Sequence, residues 1–281
     1  GVGARPHHNL GHLVKRKLMS EKSPDALLRA ATAQVDITPQ LPISIAGSLT
    51  ERVATAVLDP LHARLLLLRA GETSLLFVLL DLIGLSNDDA AAWRRALGEA
   101  LQLPAAQICV ACTHTHSAPT TIDAFESKRE AEYLRETQRR VVDAAAKLPA
   151  QLQPAQAAWG AGLEGRPQYN RRYIMRDGTL KTNPGKGNPD ILHPAGPTDP
   201  VLPALLVRAN DGTPLAALCS YSLHYVGCDR GDAISADYFG AFDRSLKARY
   251  GAQFLGLMAH GASGDINNVN AQARPEPWFP P

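Results

Sequence analysis

Residues 108–119 read ICVACTHTHSAP, an apolar run that passes directly into a polar segment ending in proline. Such a run predicts a buried strand whose carboxyl end meets a loop. Because side chains two residues apart on an extended backbone point the same way, His114 and His116 should share one face. The two imidazoles can bind a transition metal together, or one can bind the metal while the other handles protons. Two loop histidines making ordinary hydrogen bonds are the alternative that this loose spacing leaves open.

Strands and helices are predicted along the rest of the chain from the same kind of pattern. Three helices are expected at 88–101, with Asn87 as the cap, at 127–148 and at 235–250. Strands are expected at 33–37, 63–69, 74–81, 107–112, 155–163, 204–209, 215–221 and 253–259. The continuously apolar run at 75–80 indicates a sheet covered on both faces. The sequence therefore predicts an α/β fold, a layered mixed β-sheet sandwich flanked by helices, with its site at the strand carboxyl ends.

Residues 165–200 interrupt this pattern, because they are rich in Gly, Pro and Asn. The segment is predicted to be a loop that forms a lid over the strand end carrying His114 and His116. Within it, only Asp177-Gly178 provides a hairpin turn signal. Adjacent arginines at 171 and 172 can clamp a carboxylate or polarise a carbonyl, and surface solubility is the alternative.

Two further predicted strands also end in polar residues. The strand at 215–221 runs into His224, and the strand at 253–259 runs into His260 and a small-residue turn that contains Asp265. Ligands of α/β sheets gather outside the carboxyl ends of strands. Three histidine-bearing strand ends in one sheet therefore strengthen the metal hypothesis, although His224 alone would be typical of a hydrogen-bonded core histidine.

The composition is ordinary for a globular protein. The chain has 281 residues, of which 45% are hydrophobic and 20% charged, and its net charge is +2. This argues against global disorder and gives no reason to expect nucleic acid as a partner. No apolar run reaches the roughly 18–20 residues that span a bilayer, so no transmembrane segment is predicted. Oligomeric state leaves no mark in the sequence.

Residues 1–24 are basic and irregular and are predicted to be a flexible N-terminal extension, with the catalytic domain at 25–281. The extension lacks the apolar centre of a secretory signal. Cys109 and Cys112 lie inside a predicted strand, which favours small buried thiols over a redox pair or half of a zinc site. Pairing of Cys219 with Cys228 in an oxidising compartment stays open. Cysteine usage and the missing signal together favour a cytoplasmic location.

Six segments within residues 30–270 resemble the motifs of one family: VDITP (35–39), DPLHAR (59–64), THTHSAP (113–119), YNR (169–171), ISADYFG (234–240) and GDI (264–266). They resemble the neutral/alkaline, non-lysosomal ceramidases, zinc amidases that cleave the N-acyl bond of ceramide. The chain is similar to the N-terminal catalytic domain of bacterial ceramidase-like members, which act in sphingolipid metabolism.

The resemblance implies a ligand set and a set of catalytic residues. His114 and His224 would bind Zn, the expected cofactor. His116 would handle protons or hydrogen-bond the substrate, and Arg171 would hold the scissile carbonyl or its oxyanion. Asn170 is assigned to the same catalytic group, while Arg172, Asp265 and Asn267 are assigned to substrate binding. The implied partner is a small-molecule or lipid-like N-acyl substrate, either ceramide or a smaller, more polar compound.

Two departures from the family pattern matter for the mechanism. The family's serine in its G-D-V-S-P-N motif corresponds to Asn267, whose amide cannot be an activated nucleophile. This favours attack by metal-activated water, and a catalytically degenerate binding or scaffold protein is the alternative. The family also supplies a Glu and a Tyr to zinc from beyond the position of Pro281. We therefore expect a domain that is incomplete at its C-terminus, or a reduced site completed by His260 or Asp265.

Overall fold

A computed structural model describes residues 27–225 and 231–273. The predicted N-terminal extension, at 1–24, and Cys228 lie outside the described residues. The strands are β1 (Arg29–Asp36), β2 (Ile43–Ile45), β3 (Arg52–Ala54), β4 (Ala56–Val57), β5 (His62–Ala70), β6 (Thr73–Leu80), β7 (Ile108–Cys112), β8 (Gln153–Leu163), β9 (Tyr169–Asn170), β10 (Arg172–Met175), β11 (Leu180–Thr182), β12 (Ile191–Pro194), β13 (Val201–Ala209), β14 (Pro214–Tyr221), β15 (Ala233–Ile234), β16 (Leu255–His260) and β17 (Ile266–Asn267). The helices are α1 (Asn87–Leu101), α2 (Ala131–Ala145), α3 (Leu148–Gln151) and α4 (Asp237–Tyr250), with a 3₁₀ turn at Ala105–Gln107.

Eight strands form one mixed sheet in the order β16-β14-β13-β8-β1-β5-β6-β7. The β6–β7 and β14–β16 pairs are parallel and the other pairs of this sheet are antiparallel. Strands β1 and β8 pair through two residues of each strand only, at Arg29–Pro154 and Ala30–Gln153. The sheet therefore divides at this junction into two halves, which pack face to face through Leu66, Leu79 and Leu257 among others. This is the predicted sandwich.

Strand β5 explains why both faces of its half are apolar. Leu65 and Leu67 pack into the core that contains Trp93 of α1 and Val141 of α2, whereas Leu66 between them packs against the other half of the sheet. Each fully buried leucine stabilises the fold by about 1.5–3 kcal/mol. Alternation along one strand thus builds two cores at once, as the continuously apolar sequence indicated.

Helix α4 covers the half of the sheet formed by β16, β14, β13 and β8. Its Phe239 packs with Phe254 and Met258 around β16. The helix ends at Tyr250 and is capped by Gly251 (φ 104°), whose N–H donates to the carbonyl of Lys247 at 2.9 Å. None of the described helices is long and apolar enough to cross a membrane.

A buried ion network, formed by Arg64, Asp81 and Asp243, ties β5, the end of β6 and α4 together. The Arg64 guanidinium donates to both carboxylate oxygens of Asp81 at 2.8 and 2.9 Å, and its Nε lies 3.8 Å from Asp243. Asp81 also accepts the backbone N–H of His62 at 2.9 Å, and Asp243 accepts that of Gly256 at 2.8 Å. Every charge in this network has an opposite partner inside the protein, with Arg64 only 1% exposed.

The bounds of all three predicted helices differ from the sequence-based prediction, and α4 begins at Asp237 rather than at residue 235. The cap of α1 is Ser86 rather than Asn87, because the Ser86 hydroxyl accepts the backbone N–H of Asp89 at 3.1 Å. The helix predicted at 127–148 is shorter, since α2 spans Ala131–Ala145 and the chain before it forms a turn stabilised by reciprocal backbone hydrogen bonds between Ala124 and Ser127.

Two other expectations were wrong. The segment 165–200 contains regular structure, a three-stranded sheet in the order β11-β10-β12, although its hairpin turn does lie at Asp177-Gly178. The two thiols of β7 are not both buried: Cys109 is exposed, because β7 is the edge strand of the large sheet. Burial raises the pKa of Cys112 to about 12, as expected for an unreactive thiol.

Candidate metal centre

Three strand ends bring the predicted histidines to one edge of the sandwich. His114 and His116 follow β7, His224 follows β14, and β16 ends at His260. Strands β14 and β16 are parallel neighbours, with Tyr221 opposite His260 in the register. Strands β14 and β16 therefore deliver His224 and His260 to the same edge, and the end of β7, from the opposite end of the strand order, reaches them because the two halves of the sheet pack face to face.

Three imidazole nitrogens converge. The Nε2 atom of His116 lies 3.3 Å from Nε2 of His114 and 2.9 Å from Nε2 of His224. The ligand atoms of these three histidines all lie within 4.8 Å of one another. The two predicted zinc ligands, His114 and His224, are therefore brought together, and His116 points its outer nitrogen at the same place.

The opposite ring nitrogens fix the tautomers of two of these histidines. Nδ1 of His114 lies 2.7 Å from the carbonyl oxygen of Ile83, and Nδ1 of His116 lies 3.1 Å from that of Gly47. A carbonyl oxygen can only accept, so both Nδ1 atoms carry the proton and donate. In the neutral rings, each Nε2 then presents a lone pair to the other. Two facing lone pairs repel unless a cation lies between them.

This donor set fits zinc. Two nitrogens at a Zn–N distance of about 2.0–2.1 Å on a tetrahedral ion stand about 3.3–3.4 Å apart. The Nε2 atoms of His114 and His116 are 3.3 Å apart, and those of His116 and His224 are closer, at 2.9 Å. Burial, followed by the charge of Arg171, lowers the pKa of His224 to about 3. Burial, followed by His114, lowers the pKa of His116 to about 4. Both rings are thus neutral at pH 7, which is the form that binds a metal.

The end of β6 holds His114 in place. The backbone N–H groups of Thr113 and His114 donate to the carbonyls of Leu80 and Leu82 at 2.9 and 3.0 Å, and Ile83 accepts from the ring. His114 has φ of 69°, in the left-handed region. The premise of an extended backbone at this residue was therefore wrong, although the two rings do meet as predicted. Strain of this kind costs on the order of 1 kcal/mol, and it is sustained here by three hydrogen bonds.

Gly47 and Arg52 support His116, and neither residue was predicted from the sequence. A Cβ atom on Gly47, whose φ is +96°, would lie 2.5 Å from Cβ of His116, so only glycine fits there. Arg52 donates from Nη2 to the carbonyl of His116 at 2.6 Å and to that of Ala46. Outer-shell partners such as these orient ligating imidazoles.

His260 lies beside the group without joining it. Its ring centroid is 5.2 Å from that of His114 and 6.2 Å from that of His224. Its Nε2 is hydrogen-bonded to the hydroxyl of Ser263, which was not among the site residues predicted from the sequence. Burial lowers the pKa of His260 to about 4. A neutral fourth imidazole thus sits next to the three converging nitrogens.

Asn170 and Asp265 are bonded to each other. The buried Asn170 amide donates to the Asp265 carboxylate at 3.0 Å, and its oxygen accepts the backbone N–H of Arg172 at 3.0 Å. Both residues lie where β9 pairs with β17, Asn170 directly opposite Ile266. This contact joins the 165–200 segment to the strand-end turn. The catalytic role of Asn170 and the binding role of Asp265 stay predictions.

A cavity of about 280 Å³ opens beside His224. Arg171 and Asn267 both line it. The Arg171 Nε donates to the carbonyl of Gly264 at 2.9 Å, and the Asn267 amide donates to Asn183 at 3.1 Å. Arg172, in contrast, lies on β10 opposite Thr182, is exposed, and is not among the described lining residues. The 165–200 segment thus forms one wall of a cavity next to the histidines.

Comparison with known proteins gives a structural likeness. No protein-family model and no curated protein matches the chain. Among solved structures, a neutral ceramidase from Pseudomonas aeruginosa matches with a TM-score of 0.71 and 19% identity, over 88% of this chain and 40% of that one. A ceramidase complexed with C2 matches with a TM-score of 0.69 and 19% identity, over 87% of this chain and 39% of that one. This chain thus spans about 40% of the length of these proteins. It has the fold of the neutral ceramidases, the family that its motifs resemble.

Proposed function

We propose that this chain is a zinc-dependent amidohydrolase that cleaves an N-acyl bond, in ceramide or a related N-acyl compound. One observation carries the proposal: three imidazole nitrogens converge at the strand ends, and two of the rings are tied to backbone carbonyls through their other nitrogen. Such a set with an open position is typical of catalytic rather than structural zinc. The ceramidase fold supports the same reaction class.

The histidine positions support a ligand role for all three. Nε2 of His116 is the central atom of the group, which favours metal binding over the proton-handling role that the motif resemblance implies. The three histidines would hold the zinc ion, which when bound would supply a water molecule with a pKa of about 7 and would polarise a carbonyl oxygen. His260, neutral and outside the group, is then the imidazole that accepts a proton and returns it to the leaving amine.

Arg171 has the geometry of an oxyanion-stabilising group. Its guanidinium is oriented by the carbonyl of Gly264, and it lines the same cavity as His224. A fixed positive charge beside the scissile carbonyl stabilises the negative charge that develops on the carbonyl oxygen in the tetrahedral intermediate. No serine is needed at the position of Asn267 in this scheme.

The test combines metal analysis with turnover. Purified protein should contain about one zinc per chain and should hydrolyse a fluorescent short-chain ceramide or a member of a panel of N-acyl amines. A chelator should abolish turnover, and added zinc should restore it. Turnover that survives complete metal removal would contradict the proposal.

A binding or scaffold function is the second candidate, and Asn267 is the observation that favours it. Its amide is bonded to Asn183 and offers no nucleophile. Substituting His114→Ala separates the two functions. An enzyme loses zinc and turnover together, with a decrease in rate of more than about 1000-fold, which is larger than the 10–100-fold typical of outer-shell changes. A scaffold keeps its fold and its partner binding without His114.

A further inference from the structure

The cavity beside His224 has an unusual charge balance. Of its ten described lining residues, Arg171 and Lys186 are cationic and none is acidic. Three carboxamide side chains, at Asn183, Asn267 and Asn268, supply further hydrogen-bonding groups. Cations and amide donors gathered in one concave site favour a ligand with an anionic group.

The acidic residue closest in sequence to the lining residues is Asp265, and its carboxylate already has a hydrogen-bond partner. Asp265 precedes the lining residues of β17, but its carboxylate accepts the buried Asn170 amide at 3.0 Å. The guanidinium of Arg171 donates to the backbone carbonyl of Gly264. Because a carbonyl is neutral, this contact does not neutralise the positive charge of Arg171. The positive charge at the cavity wall is therefore available to a ligand.

The backbone holds the loop that carries Lys186 close to the cavity. Gly187 donates its N–H to the carbonyl of Ala271 at 2.8 Å, and the Asn188 side chain donates to the carbonyl of Pro184 at 2.8 Å. Gly185 has φ of +98°, which lets the loop turn sharply just before the lysine. Lys186 itself is exposed at the mouth, whereas Arg171 is half-buried. The two cations thus stand at the rim and in the wall of one cavity.

We infer that the substrate of the proposed amidase carries a carboxylate beside the scissile amide, as an N-acyl amino acid does, and that Lys186 binds that carboxylate, while the Arg171 guanidinium, assigned to the scissile carbonyl, adds its positive charge to the same cavity. This inference rests on the proposed function. The reaction adds one water across the amide C–N bond and yields a fatty acid and a free amino acid. A cavity of about 280 Å³ suits such a compact polar group better than a second long hydrocarbon chain.

The experiment compares two soluble amides of matched size, N-hexanoylglycine and N-hexanoylethanolamine, which differ in a carboxylate against a hydroxymethyl group. Zinc-loaded full chain should prefer the glycine amide in kcat/KM by about tenfold, the gain expected from a charge-assisted contact. Lys186→Gln should reduce this preference about threefold, since an exposed cation contributes modestly. Lys181→Gln, an exposed lysine of β11 outside the cavity lining, is the matched control and should leave the preference unchanged.

Binding measurements separate this inference from the proposed function. Calorimetry on metal-free protein should show tighter binding of the glycine amide, and Lys186→Gln should weaken it, because the carboxylate contacts the side chains and not the metal. Faster cleavage of the ethanolamide or of short-chain ceramide, or a preference that Lys186→Gln leaves intact, overturns the inference and leaves the amidase proposal standing. If zinc-loaded protein cleaves none of these amides, the proposed function fails. Calorimetry then decides the inference alone: equal binding of the two amides overturns it.

Discussion

Two polar clusters lie inside this molecule, and they differ in whether the protein completes them. In the ion network, Arg64 stands between Asp81 and Asp243, and Lys247 also pairs with Asp243 at 2.7 Å, so that two positive charges face two negative ones. In the histidine group, His114, His116 and His224 direct three nitrogens at one another, and no acidic residue of the described chain belongs to the group. The first cluster is a closed structural unit. The second leaves nitrogen atoms facing one another that a bound cation would satisfy, and this difference distinguishes a stabilising cluster from a candidate site.

The largest expected effect comes from opening the closed cluster. Asp81→Ala removes the carboxylate that accepts both hydrogen bonds of the Arg64 guanidinium and leaves this buried cation with only the 3.8 Å contact to Asp243, which should lower the free energy of unfolding by about 3–5 kcal/mol. Chemical denaturation of the metal-free protein measures this. His114→Ala, in contrast, should leave metal-free stability unchanged or slightly higher, because it removes a repelling lone pair.

Two control variants sharpen that result. Asp143→Ala removes the partner of Arg139 in an exposed i,i+4 pair and should cause no measurable change. The double variant of Arg64→Met and Asp81→Leu should recover much of the stability lost in Asp81→Ala, because it removes both charges together. Equal losses for Asp81→Ala and His114→Ala would erase the distinction between the two clusters.

The second effect concerns the packing behind His116. Gly47→Ala forces a Cβ atom into the imidazole and should decrease zinc affinity about 10–100-fold, as changes in the outer shell of metal sites do. A competition titration with a chromophoric chelator measures it. Gly178→Ala is the matched control: its φ is +80° but nothing lies within 4 Å of the added Cβ, so it carries the backbone strain without the clash. Similar zinc affinities in the two variants would show that Gly47 does not position His116.

The smallest effect is the pH dependence of the metal-free protein. Burial holds the pKa of His116 at about 4 and that of His224 at about 3, below the usual value of 6.5. Between these values the unfolded chain binds more protons than the folded one, so stability is complete above pH 6.5 and falls as the pH drops towards 4. Thermal melting at pH 7 and pH 5 should show this decrease. His116→Gln should make the decrease in stability between pH 7 and pH 5 smaller. An equally large decrease in that variant would assign the effect to other groups.

Much of this architecture follows from local pattern. The eight predicted strands are all present, and in β5 the apolar run contributes to two cores at once, as Leu65 and Leu66 illustrate. The rule that ligands gather at strand carboxyl ends predicted a shared site for His114 and His224, although β7 and β14 are not neighbours and meet only because the two halves of the sheet pack face to face. The two arginines at 171 and 172 do not act on one site as predicted, since only Arg171 lines the cavity.

What the sequence could not provide is set by contacts between distant residues. The carbonyl of Gly47 that orients His116 comes from a loop 69 positions away, and no periodicity reports such a pair. The small sheet within 165–200 forms from short strands of weak propensity, held around Tyr173 and Met175 by a core that includes Ala271 from the far end of the described chain. Cys109 is exposed because β7 has a neighbour on one side only, a property of topology rather than of composition.

The junction between β9 and β17 separates two tasks in the chain. The histidines belong to the ends of the large sandwich, whereas Lys186 and Asn183 belong to an appended unit that is bridged to it through this two-residue ladder. Mutations that lengthen or recharge the appended unit beyond Arg171 should therefore reshape one wall of the cavity while the histidine group stays in place.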